Sequence, residues 1–178
     1  SLGGIEPRKG TIDLLEAWAL LRARHPTIRF VLAGGETLFD YRDYRAAFDR
    51  RAAELGVQPE LLGVVAHDEL PSLVAEASAL GFVSTKEGFG LAPLEALAAG
   101  VPVVARGLPV LREVLGAHVT YADTPRGIAA ALGRVLDAPP DPAGGRAHAH
   151  GFSWERCAVE HLTFYRSSRV RVPARSRR

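Results

Sequence analysis

Short apolar runs alternating with segments of helical period predict an α/β domain, a three-layer α/β/α arrangement with helices on both faces of a parallel sheet. The alternation carries the expectation, and so do the short links between units. A third sign is glycine or proline where several helical segments should end, at Pro26, Gly56 and Gly100.

Taken in order, Thr11–Arg24 puts Leu14, Leu15, Trp18 and Leu21 on one face and reads as an amphipathic helix that Pro26 ends. Ile28–Ala33 is a short buried strand closed by Gly34 and Gly35. After a polar, aromatic loop, a helix from about Tyr44 to Leu55 stops at Gly56. Leu61–Val65 is the next strand, and Asp68 is placed to cap a helix with a stripe of Leu70, Leu73, Val74 and Ala77. Leu80–Ser84 is a strand, and the turn beginning at Glu87 feeds a helix to Ala99. Val101–Ala105 is a strand, Pro109–Leu115 a short helix and Val119–Tyr121 a last strand, and Thr124 starts a helix through Leu136. Ala138–Gly145, rich in proline and glycine, reads as a hinge-like connector. Ser153 and Trp154 open a final helix carrying Val159, Leu162 and Phe164.

At 178 residues, 47% hydrophobic and 24% charged, the composition suits one soluble domain. The net charge of +2 is too small to argue for a nucleic-acid partner, and the basic excess sits in the tail 169–178, expected to be disordered. A single cysteine, Cys157, allows no intrachain disulfide and suggests a buried thiol in a reducing, cytoplasmic setting. No apolar run approaches the length of a membrane helix. The chain has no methionine and opens on what reads as the tail of a strand, so it is expected to be a fragment of a longer protein.

The chemistry concentrates in Glu87-Gly-Phe-Gly-Leu-Ala-Pro-Leu-Glu95, where two carboxylates flank a glycine turn that opens a helix. Free amides at a helix N-terminus suit an anion, and fixed carboxylates suit hydroxyls, so the segment fits a hydroxyl-rich phosphorylated ligand. Gly88 and Gly90 are expected to use backbone conformations closed to other residues, and Phe89 to pack beneath the loop. Lys9, beside Arg8 at an earlier strand-to-helix junction, could neutralise a diphosphate as a flexible point charge. Two nucleotide motifs fail: Pro93 stands where the dinucleotide fingerprint needs a small residue, and Lys9-Gly10-Thr11 reverses the P-loop order. His148 and His150 are poorly spaced for a metal and are expected at the surface, and nothing marks His67 as a base.

At these residues the chain resembles the C-terminal half of the GT-B fold, retaining glycosyltransferases of family 4, from Leu2 to about Tyr165. The resemblance rests on Gly3–Gly10, Ile28–Gly34, Leu62–Val65 before Glu69 and Leu70, Glu87–Ala105, and Phe152-Ser-Trp-Glu155. It implies a Rossmann-like domain, residues 1–168, that is one half of such an enzyme, with an N-terminal acceptor domain absent from this chain. Any membrane association would then come through that absent domain or the acceptor.

By the same resemblance Glu95 would bond ribose hydroxyls and Glu87 the hydroxyls of the transferred sugar. Gly88 and Phe89 would belong to the donor loop, and amides of Gly90, Leu91 and Ala92 would hold the distal phosphate. Lys9 would stabilise the departing diphosphate, the main chain near Val65 would read the base, and Gly34 would line the nucleoside pocket. No metal or other cofactor is implied. One departure stands out: Gly4 occupies the place where the family commonly has an arginine, so Arg8 either reaches in or the phosphate contact is weaker. Gly4 also motivates a rival reading, a nucleotide-sugar-binding module without transfer. A dehydrogenase domain is a third, and it would bind NAD.

Overall fold

The computed structural model describes residues 1–35 and 39–167; the basic tail expected at 169–178 lies outside the described residues. In chain order the elements are α1 (Thr11–Leu21), β1 (Val31–Ala33), α2 (Arg42–Glu54), β2 (Glu60–Gly63), α3 (Leu70–Ala75), β3 (Leu80–Phe82), α4 (Leu91–Ala99), β4 (Val103–Ala105), α5 (Pro109–Leu115), β5 (Thr120–Tyr121), α6 (Pro125–Asp137), α7 (Pro142–His150) and α8 (Trp154–Ser167). All the strand pairs are parallel, β1 with β2, and β3 with β4 and then β5. Leu2 bridges Ala33 on the free side of β1, with Gly3 N donating to Ala33 O at 2.8 Å. The ladders thus fall into two hydrogen-bonded groups rather than one continuous sheet, and side chains such as Leu2 pack across the join.

Strand alternation shows how both faces are covered. Leu80, Phe82, Val103 and Ala105 enter one core with α3, α4, α5 and α7; Val83 and Val104 enter the other with α1, α2 and α6. Successive side chains in a strand point to opposite faces, so a sheet buried on both sides must split its residues in this way. Leu14, Leu15, Trp18 and Leu21 are all buried, as the period of α1 predicts. Thr124 caps α6 by accepting from Gly127 N at 3.1 Å.

Several expectations need correction. The strands are shorter than their apolar runs, because a parallel ladder exists only where neighbours overlap. Asp68 does not cap α3; it lies in a turn over 67–69, with Glu69 N and Leu70 N both donating to Ala66 O, and the helix starts at Leu70. The hinge expected at 138–145 is half helix. Asp141 accepts from Ala143 N at 3.0 Å and Pro142 fits the first turn, so α7 begins there. Gly145 lets α7 lie against α4, since a Cβ at that position would stand 2.9 Å from Leu97 Cδ2. Cys157 is half-buried rather than interior, because α8 has no buried residue.

Candidate functional site

The site forms where the first loop meets the loop after β3. Pro7–Lys9 makes one 3-10 turn, and Gly10 ends it at φ +63° with Val83 O so near that a Cβ would sit 2.4 Å away. Only glycine combines that left-handed conformation with so close an approach. The contact draws the first loop onto the end of β3, and Arg8 O locks it there by accepting from Thr85 N at 2.7 Å. Arg106, just past β4, steadies the junction by donating to Val83 O, Asp123 O and Asp13.

Lys9 and Glu87 are thereby brought together, 78 residues apart in sequence and 2.8 Å apart at Nζ and Oε1. The lysine stem passes over Gly3, where a Cβ would lie 3.0 Å from Cε, and its ammonium stands 5.1 Å from the Phe82 ring centre. Arg8 Nη1 donates to the same Glu87 oxygen at 3.1 Å, and Arg8 Nη2 donates to Glu6 at 2.9 Å. The result is a cluster of two cations and two carboxylates. Partial burial would raise the Glu87 pKa, but the Lys9 hydrogen bond and the charges of Lys9 and Arg8 outweigh it and hold the carboxyl below its ordinary value. The buried Ser84 hydroxyl adds to this as a nearby dipole, without a hydrogen bond of good geometry.

A carboxyl whose folded pKa is lowered stabilises the protein above the ordinary carboxyl range, and that stability is lost as pH falls through the lowered value. Denaturation curves should therefore show the stability gap between wild type and Glu87→Gln closing as pH drops from about 6 to about 3. A gap independent of pH would contradict the ion pair.

Gly90 caps α4 at φ +98°, leaving the amides of Leu91 and Ala92 at a helix N-terminus. A Cβ on Gly90 would meet Leu111 Cδ2 at 2.8 Å, whereas nothing lies within 4 Å of one on Gly88, whose φ is ordinary. The expectation that both glycines need special conformations thus holds for Gly90 alone. Gly90→Ala should cost roughly 1–3 kcal/mol and Gly88→Ala less than about 0.5 kcal/mol in urea unfolding. Equal losses would contradict this assignment.

The family model described as Glycosyl transferases group 1 matches residues 1–143. The chain belongs to this family. The O-antigen chain mannosyltransferase B of Escherichia coli is 34% identical over 93% of this chain and 44% of its own length. The chain thus spans less than half of that curated relative. Among solved structures, Anabaena HepE in complex with UDP and glucose superimposes with a TM-score of 0.80 at 23% identity, over 94% of this chain and 48% of that one. The C-terminal domain of a glycosyl transferase group 1 family protein, LpcC of Francisella tularensis, gives 0.72 at 23% identity over 84% of this chain and 83% of that one. The fold is that of GT-B glycosyltransferase C-terminal domains.

Elsewhere in this glycosyltransferase domain, Glu95 lies one turn into α4, exposed and without a hydrogen bond or ion pair among the described residues. Val65 lies just past β2, half-buried, and Gly34 lies just past β1. A Cβ on Gly34 would stand 2.2 Å from Gly3 C, so its glycine answers a backbone crossing. Phe89 does not pack beneath its loop: it is 41% exposed, with its ring edge-on to Phe152 at 5.8 Å. His148 is half-buried rather than fully at the surface. It stacks on His118 at 4.4 Å and its Nε2 lies 2.7 Å from Val114 O, while His67 and His150 are exposed.

Sequence reasoning missed Glu6 and Arg106. The only available sign of Glu6 was an acid two residues before the Arg8-Lys9 pair, and Arg106 was marked only by its place after a strand. A cavity of about 720 Å³ lies among Ser1, Trp18, Val31, Leu73 and Leu80 and is lined by none of the predicted site residues. Among the described residues no three His, Cys, Asp or Glu side chains gather as metal ligands, and no helix is long and apolar enough to cross a membrane.

Proposed function

We propose that this domain is the donor-binding half of a retaining glycosyltransferase that moves a sugar from a nucleoside diphosphate sugar to a hydroxyl acceptor. The observation that carries the reading is the Lys9–Glu87 pair, set beside the free amides at the start of α4. Those groups divide the donor between them. Glu87 takes hydroxyls of the transferred sugar, and the amides of Gly90, Leu91 and Ala92 take the distal phosphate. Gly88 and Phe89 complete that loop, Glu95 takes the ribose, and Gly34 and the main chain near Val65 flank the nucleoside.

As the bond to the sugar breaks, positive character grows on the ring and negative charge on the departing diphosphate. Lys9 and Arg8, with the helix N-terminus, stabilise that charge. This division of labour asks for no metal ion. The acceptor site belongs to a second domain of the longer protein, and the exposed Val159, Leu162 and Phe164 of α8 supply a surface for it. On its own the domain binds donor and transfers nothing; the whole enzyme works in the cytoplasm.

The test is transfer by the whole enzyme across uridine, guanosine and adenosine diphosphate sugars, with Glu95→Ala beside wild type. Turnover of one donor class, with KM raised about tenfold or more in the variant, is the expected result. Unchanged kinetics in Glu95→Ala would remove Glu95 from the site. Nucleotide binding with no donor ever turned over would favour the non-catalytic module that Gly4 motivates.

A further inference from the structure

We infer that Glu6 is a positioning residue that keeps the Arg8 guanidinium in the cluster when Glu87 turns to a donor sugar, an assignment that rests on the donor-binding reading above. One oxygen, Glu87 Oε1, accepts from both Lys9 Nζ at 2.8 Å and Arg8 Nη1 at 3.1 Å. Oε2 of Glu87 is left to accept from sugar hydroxyls; as the carboxylate turns to meet them, the longer of its two bonds, to Arg8, yields first. Arg8 would then be free to swing into solvent: its side chain is 43% exposed, and a long side chain gains rotamer entropy when released.

Glu6 opposes that release. Its Oε1 accepts from the other arm of the guanidinium, Nη2, at 2.9 Å, so the two nitrogens are held from two sides. Glu6 is 7% exposed, and Arg8 is its one hydrogen-bonding partner through the side chain among the described residues. A buried carboxylate without its cation is strongly disfavoured, so this bond resists breaking more than an exposed pair would. The tether is also short and stiff. Glu6 flanks the 3-10 turn, Pro7 fixes its first torsion, and Lys9 N donates to Glu6 O at 3.1 Å. Arg8 O is bound in turn to Thr85 of the donor loop. Glu6 thus sets the guanidinium beside the Lys9 ammonium, giving the diphosphate two cations of fixed spacing. Gly4, without a side chain, offers no other guanidinium from the segment that bridges β1.

Calorimetric titration of this chain tests the assignment, using whichever of the nucleoside diphosphate sugars UDP-glucose, GDP-mannose or ADP-glucose binds wild type best, and the matching nucleoside monophosphate. The variants are Glu6→Gln, Arg8→Ala and the two combined. Each single variant should weaken diphosphate-sugar binding about tenfold, the worth of one charge-assisted hydrogen bond, and leave monophosphate binding within about twofold. The double variant should bind no more weakly than Arg8→Ala. Equal loss of both ligands in Glu6→Gln would mean a merely structural role and overturn the assignment. Losses that multiply in the double variant would overturn it too, as would full affinity in Glu6→Gln beside a weakened Arg8→Ala. Failure of wild type to bind any of the three diphosphate sugars is a different result: it removes the donor-binding reading itself, and this assignment with it.

Discussion

Lys9→Ala in the whole enzyme is expected to lower kcat by about 10²–10³-fold, the usual cost of removing one group that meets developing charge. The ammonium pairs with Glu87 and is largely withdrawn from solvent, with its side chain 15% exposed and Phe82 below it. Charge on the diphosphate is greater in the transition state than in the bound donor, so the loss should fall on kcat more than on KM. Arg8 remains beside Glu87 in the variant, so the cluster keeps one cation and the fold should persist. A variant that turns over at the wild-type rate but melts earlier would make Lys9 a structural residue only.

Gly34→Ala is expected to destabilise the domain by about 3 kcal/mol or more, lowering Tm by roughly 6–12 °C for a chain of this size. The reason is backbone against backbone. A Cβ there would lie 2.2 Å from Gly3 C, 2.4 Å from Gly3 O and 2.6 Å from Gly4 N. None of these atoms is the movable end of a side chain. Relief would require the first segment to leave β1, breaking the bond from Gly3 N to Ala33 O and displacing Lys9, whose stem rests on Gly3. Thermal melts of wild type and variant check this. An unchanged Tm would mean that the two strand ends can separate at little cost.

The order of elements was legible because burial imposes its period on the sequence, as in the stripe of α1 and the alternation of Val103, Val104 and Ala105. The turn that opens α4 was legible because acids, glycines and a helix start fall within nine residues. What could not be read from residue types was pairing at a distance. That Glu87 meets Lys9, or that Arg106 ties together three elements, depends on which loop ends the fold brings together. The first turn of α7 was misread for another reason: Pro and Gly signal loops in general, but Asp141-Pro142 is also a helix start, and Gly145 serves a close helix contact. Gly88 and Gly90 look alike in sequence and differ in torsion and in what surrounds them.

The most direct measurement is an NMR titration of the labelled domain with UDP-, GDP- and ADP-sugars, following backbone amides. The account predicts that one of them shifts the amides of Gly90, Leu91 and Ala92 together with Lys9 and Glu87. Shifts confined to the far end of the strands, around Val31 and Leu80, or none with any donor, would contradict it.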